Sequence, residues 1–178
     1  MRWYWIDRFT EFVSGKHAVA TKSVTLGEDY LVHNFFNYPV MPNPLILEGM
    51  AQTAGMLMGE HFDFQSRLVL AKVSRVTYHF PARPGDRLVY RSEIANLTKE
   101  GALIEGTSHV GDRLQADAEF YLAVLDAENF GDQELFKPGD LARLLRVLGV
   151  YDVGVNSDGE RLVIPDHVLE LERSEDRV

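Results

Sequence analysis

The stretch His33-Asn34-Phe35-Phe36-Asn37-Tyr38-Pro39-Val40-Met41-Pro42-Asn43-Pro44-Leu45-Ile46-Leu47-Glu48-Gly49-Met50-Ala51-Gln52 decides the reading of this chain. A polar, aromatic loop runs directly into a long apolar helix. Asn43 offers an N-cap and Pro44 a first helical residue, whose missing N–H costs nothing and whose φ is already set. The helix is expected to continue to about His61. Its apolar residues, such as Ile46, Met50, Ala54 and Leu57, lie all round, so it must be covered on most sides. Gly49, Gly55 and Gly59 permit close approach along it, at some cost in helix propensity. About one turn in stands Glu48, expected to be buried. A carboxylate in such company is costly unless it is neutral or paired, and proton chemistry at the helix mouth is one reason to keep it there.

Outward from this helix the pattern changes. Trp3, Trp5, Ile6, Phe9 and Phe12 give residues 3–12 the apolar stripe of a short helix. Residues 18–25 alternate as a strand does, and a loop is expected over 27–42. After the helix, residues 68–80, 87–97, 102–109 and 114–125 are rich in β-branched and aromatic side chains. Pro84-Gly85-Asp86, Lys99-Glu100-Gly101 and Gly111-Asp112 supply the turns between them. One central helix followed by a meander is an α+β layout, an antiparallel sheet wrapped around a helix. Residues 1–126 form this domain and residues 127–178 a C-terminal extension. The extension holds a short amphipathic helix over about 137–149, then a polar, acidic tail without fixed structure apart from brief apolar runs at 162–164 and 168–169.

Composition narrows the chemistry. The net charge of −9 argues against nucleic-acid binding. The absence of cysteine removes disulfides, thiolate metal sites and cysteine nucleophiles, and fits a reducing cytoplasm. The N-terminus is charged too early for a signal peptide, and the most apolar segment is too interrupted to span a membrane. Glu60-His61-Phe62-Asp63 matches no usual metal-ligand spacing, so no metal is expected. Ser108-His109 forms no triad, because neighbours on a strand point apart. Charge is uneven: residues 152–178 hold eight acids against three bases. Residues 67–91 hold six bases (Arg67, Lys72, Arg75, Arg83, Arg87, Arg91) against Asp86 alone. This is either a set of solvated strand faces or a dock for an acidic partner.

The motif Pro39-Val40-Met41-Pro42 followed by Leu45-Ile46-Leu47-Glu48-Gly49-Met50-Ala51-Gln52 resembles the signature of the β-hydroxyacyl-acyl carrier protein dehydratases of fatty-acid synthesis, which have the hotdog fold. Asp7-Arg8, Lys22-Ser23-Val24-Thr25 and Pro84-Gly85-Asp86 are weaker matches, and the likeness covers roughly residues 5–125. The resemblance implies a homodimer or higher homo-oligomer whose two catalytic groups come from different subunits. A loop histidine removes the α-proton of a 3-hydroxyacyl thioester on acyl carrier protein. The helix carboxylate, here Glu48, protonates the departing hydroxyl. Backbone N–H groups at the helix start polarise the thioester carbonyl. It implies no cofactor beyond the carrier's phosphopantetheine arm. Asn34, Phe35, Pro42, Asn43 and Gln52 fall at the substrate-binding positions. An acyl tunnel would run beside the helix, lined by Met50, Ala54, Met56 or Leu57.

The loop departs from the family's His-Phe-Pro-Gly-any-Pro. Asn34 stands at the histidine position, Phe36 replaces the proline and Asn37 the glycine. Asparagine cannot serve as a general base. Either His33 acts from a re-aimed loop, or the base is absent. Pro44 removes an N–H where many relatives keep a donor. Alternative readings are a hotdog acyl-thioesterase and a non-catalytic acyl-binding homologue.

Overall fold

In a computed structural model of the chain, residues 4–33, 38–125 and 138–175 are described, the side chains of 32–33, 138–142 and 171–175 excepted. The order is β1 (Arg8–Val13), β2 (His17–Ser23), α1 (Asp29–His33), α2 (Asn43–His61), β3 (Arg67–Tyr78), β4 (Arg87–Leu97), β5 (Gly101–Val110) and β6 (Arg113–Leu125). The extension follows as α3 (Pro138–Val147), α4 (Val150–Val153), β7 (Gly154–Val155) and α5 (Asp166–Glu175). One sheet runs β3-β6-β5-β4-β2-β1-β7, antiparallel except where β7 joins β1 in parallel.

The sheet curls round α2. Its inner face is Ala18 and Ala20 of β2, Leu88, Tyr90 and Ser92 of β4, Ala102 and Ile104 of β5, and Ala116, Ala118 and Phe120 of β6, all buried against Ile46, Met50, Ala54, Leu57 and Met58. Many of these sheet residues are small, which lets the helix axis come close. Ser92 Oγ donates to the Met50 carbonyl at 2.9 Å, so a buried hydroxyl ties β4 to the helix. Register shifts in β1/β2, β3/β6, β4/β5 and β5/β6 supply the bend that wrapping requires.

Four expectations are corrected. Residues 8–13 are a strand and not part of a helix over 3–12. The bulge explains the false period: Phe9 pairs with Ala20, Glu11 with Val19 and Phe12 with Ala18, leaving Thr10 extra. Phe9 and Phe12, three residues apart, therefore share the inner face, their rings 5.4 Å apart edge-on. The loop over 27–42 contains α1. The cap of α2 is Pro42 in extended conformation, so Asn43 is helical and forms no side-chain cap. Pro44 then sits at the second helical position, where its missing N–H is still one the helix would leave unbonded. The tail after Gly154 is ordered into β7 and α5, with Val168 buried.

The extension covers an edge. Its β7 extends the β1 side of the sheet, and the Phe9 N–H donates to the Leu148 carbonyl at 2.7 Å. Leu144, Leu145, Leu148 and Val150 join the main core. At the opposite edge β3 is largely exposed, with Leu70 and Val73 each 38% accessible.

Candidate active site

Residues along α2 divide into two faces. Ile46, Met50, Ala54 and Leu57 point into the sheet, while Leu45, Glu48, Gln52, Gly55 and Met56 are only partly covered. The second set recurs at spacings of three and four, the period of one helix face. Glu48 is thus half-buried on the outer side of the helix in the single chain, and not buried as the sequence suggested. Of the expected tunnel residues, Met50, Ala54 and Leu57 are packed into the core and Met56 alone lies on this face.

Gln52 holds the carboxylate in place. Its Nε2 donates to Glu48 Oε1 at 3.0 Å, while its Oε1 accepts the Trp5 backbone N–H at 2.8 Å. The amide is committed at both ends, so the orientation of the donor beside Glu48 is fixed by the N-terminal segment. The Gly49 step has a specific reason. A Cβ there would stand 2.4 Å from Cε2 of Tyr90, so only glycine lets that ring lie against the helix. Sequence reasoning missed Tyr90 and the Trp5 backbone; the aromatic in an alternating strand and the Trp5 stripe signalled burial, not their places.

The helix start is poor in free donors. Pro42 and Pro44 have no N–H, and the Leu45 N–H donates to the Pro42 carbonyl at 2.9 Å. The N–H of Asn43 is left, among the described residues, to face an oxyanion. Asn43 and Pro44 are exposed and Pro42 is half-covered. Asn34 and Phe35 lie outside the described residues. His33 closes α1, and its side chain lies outside the described ones.

The basic cluster is not one surface. β3 and β4 are separated by β6 and β5, so Arg67, Lys72 and Arg75 stand apart from Arg87 and Arg91. Arg75 bonds Asp117, which also binds His79 Nε2 at 2.8 Å, and Arg91 reaches Glu93 at 3.3 Å. Arg83 lies at the mouth of α2. Its Nη2 donates to the Tyr38 hydroxyl at 3.3 Å, and the Met41 N–H donates to the neighbouring Ala82 carbonyl at 2.8 Å. Arg87 begins β4 just beyond the turn that follows Arg83. A cleft of about 420 Å³ elsewhere, between Tyr4, Ile6 and Asp7 and the α3 residues Arg143, Leu144 and Val147, does not touch Glu48.

This geometry is a half-covered acid on a wrapped helix, near that helix's amino end. A model of the FabA-like domain matches residues 3–118. The chain is 35% identical over 128 residues to the 3-hydroxyacyl-acyl-carrier-protein dehydratase FabZ of Campylobacter curvus, covering 68% of this chain and 86% of that one. It is 34% identical over 122 residues to the FabZ of Clostridioides difficile, with the same coverage. Among solved structures, the dehydratase heterocomplex ApeI:P from Xenorhabdus doucetiae superimposes with a TM-score of 0.60 at 15% identity, over 70% of this chain and 84% of that one. The fold is the hotdog, and the chain belongs to the FabA-like dehydratase family. Among the described residues, no helix is long and apolar enough to cross a membrane.

Proposed function

We propose that this chain dehydrates 3-hydroxyacyl thioesters carried on acyl carrier protein, giving trans-2-enoyl thioesters and water. The observation that carries the reading is Glu48: a carboxyl at the family's acid position, half-buried near the mouth of α2 and held by Gln52. His33 takes the proton from C2, the C3–oxygen bond breaks as the C2–C3 double bond forms, and Glu48 gives the leaving hydroxyl its proton. The Asn43 N–H bonds the thioester oxygen as negative charge builds there. Phe35 and Pro42 line the approach, and Asn34 takes the family histidine's place without its basicity. The working unit is a homodimer. In support, α2 leaves the face bearing Glu48 partly bare, and the β3 edge, unpaired among the described residues, suits a second copy.

The carrier, an acidic protein, docks on Arg83 and Arg87 beside the mouth. Replacing both by glutamate is expected to abolish carrier binding, and added salt to weaken it in the parent. Unchanged binding would refute that surface. The reaction takes place in the cytoplasm, in line with the cysteine-free sequence.

The deciding experiment presents hydroxyacyl and saturated acyl thioesters of the carrier to the protein. Enoyl product from the first supports dehydration, and its loss by about a hundredfold in His33→Ala assigns the base. Free thiol without enoyl product points to a thioesterase. Turnover of neither, restored by Asn34→His, means a scaffold that has lost its base.

A further inference from the structure

A covered charge stands beside the start of α1. Lys22, near the end of β2, is only 9% exposed at its side chain. A lysine so covered needs carboxylates, and it has two: its Nζ lies 2.6 Å from Glu28 Oε1 and 3.4 Å from Asp7 Oδ1. Asp7 is itself fixed, since its Oδ2 accepts the Ser23 N–H at 2.6 Å. Glu28 immediately precedes α1, and the Leu31 N–H donates to the Glu28 carbonyl at 2.9 Å. The cation therefore grips the residue on which the first turn of α1 is built.

A second set of contacts joins α1 to the acid. Tyr30 places its ring 5.5 Å from that of Trp5, and the Trp5 N–H holds the amide that bonds Glu48. The hydroxyls of Tyr30 and Tyr90 are both buried without a hydrogen-bond partner among the described residues. Burial pushes both phenols above their usual range, with Asp7 adding to each. The phenols bring no charge of their own to the cluster, so the ionic hold on α1 is that of Lys22.

We infer that Lys22 is a positioning residue: through Glu28 it pins the start of α1, and so fixes where the helix ending in His33 stands on its own protomer. This rests on the dehydratase reading for its catalytic consequence and on geometry alone for the pin. Lys22 touches no reacting atom; it acts through α1.

The test uses the full chain with Lys22→Met, Lys22→Arg and Glu28→Gln, the last removing the same ion pair from its more exposed side should Lys22→Met fail to fold. Hydrogen exchange followed by mass spectrometry is read over residues 26–33, α2 and β4, and dehydration is assayed on a carrier-bound hydroxyacyl thioester. Loss of the pair is expected to speed exchange at least tenfold over 26–33 while α2 and β4 stay protected. It is expected to lower kcat at least tenfold with KM little changed, and Lys22→Arg is expected to keep both near the parent. Unchanged exchange over 26–33, faster exchange everywhere alike, or a parental kcat with a loosened α1 would each overturn the inference. A parent chain that dehydrates nothing would sink the proposed function, and the exchange result would still decide the pin.

Discussion

The two ends of α2 each hold a half-buried glutamate, and they hold it in opposite ways. At the mouth, Glu48 receives a hydrogen bond from an amide that the N-terminal segment locks in place. At the far end, one oxygen of Glu60 is buried with no partner among the described residues. Burial pushes the Glu60 carboxyl above its ordinary 4.5, and Asp63 adds to this, while the Ser14 hydroxyl and His61 oppose it. The nearby Tyr151 of α4 is pushed up to about 12 by burial and then by Glu60. A search for strained acids alone would choose Glu60 as the catalytic group. Yet Glu60 stands at a helix C-terminus, where the carbonyl ends oppose an anion, and its charge is felt by Tyr151 of the extension. Burial dominates at the far acid, while the Gln52 amide aims the near one. A displaced titration therefore marks a covered group, and only the approach of substrate makes such a group chemical.

The sharpest way to break this contrast is to neutralise each acid in turn. Glu48→Gln is expected to lower kcat for dehydration by about a thousandfold with Tm scarcely altered, the range of a lost general acid. Glu60→Gln is expected to leave kcat at the parental value. The reverse pattern in the same assay would move the chemistry to the far end of the helix.

The next effect concerns two glycines of α2, one beside the near acid and one midway along the helix. Gly49→Ala drives a methyl group into the Tyr90 ring, whose Cε2 would lie at 2.4 Å. Overpacking of this kind costs about 1–3 kcal/mol, less the roughly 1 kcal/mol that alanine returns in a helix. A fall in Tm of about 3 °C is expected, seen by thermal unfolding. Gly55→Ala meets nothing within 4 Å and is expected to raise Tm slightly. Equal shifts for the two would show that Tyr90 does not lean on the helix as described.

The helix and the meander were legible because their signals are periodic and local. The strand over 87–97 and the helix end at His61 fall where the sequence placed them. The N-terminal strand was not legible, because a bulge gave Phe9 and Phe12 a helical spacing that only pairing with β2 can reveal. The tail misled for a similar reason. Its acidic composition hides that Gly154 and Val155 find a partner in β1, more than a hundred residues away in sequence. At the site, Glu48 and Gln52 could be named from spacing and likeness. The use of both ends of Gln52, and the two carboxylates on Lys22, could not, since each depends on a segment brought from elsewhere in the chain. Whether the basic run formed solvated strand faces or one dock was not legible, because adjacency along the chain hides how many strands lie between.

The smallest effect is the pH dependence that the far acid brings to stability. The folded chain holds the Glu60 proton to higher pH than the unfolded chain does, because burial favours the neutral form. That contribution to stability is fully present below the unfolded value of 4.5 and is lost as pH rises through the raised folded value. Near neutrality the ionised carboxylate is therefore a cost that Glu60→Gln removes, because an amide carries no charge to bury. The variant is expected to melt about 2 °C higher than the parent near pH 7 and level with it at about pH 4. Thermal unfolding of both proteins across this window measures the difference. A gap that does not close at low pH would mean that the amide stabilises by contact and not by removing charge, and the far acid would then resemble the near one.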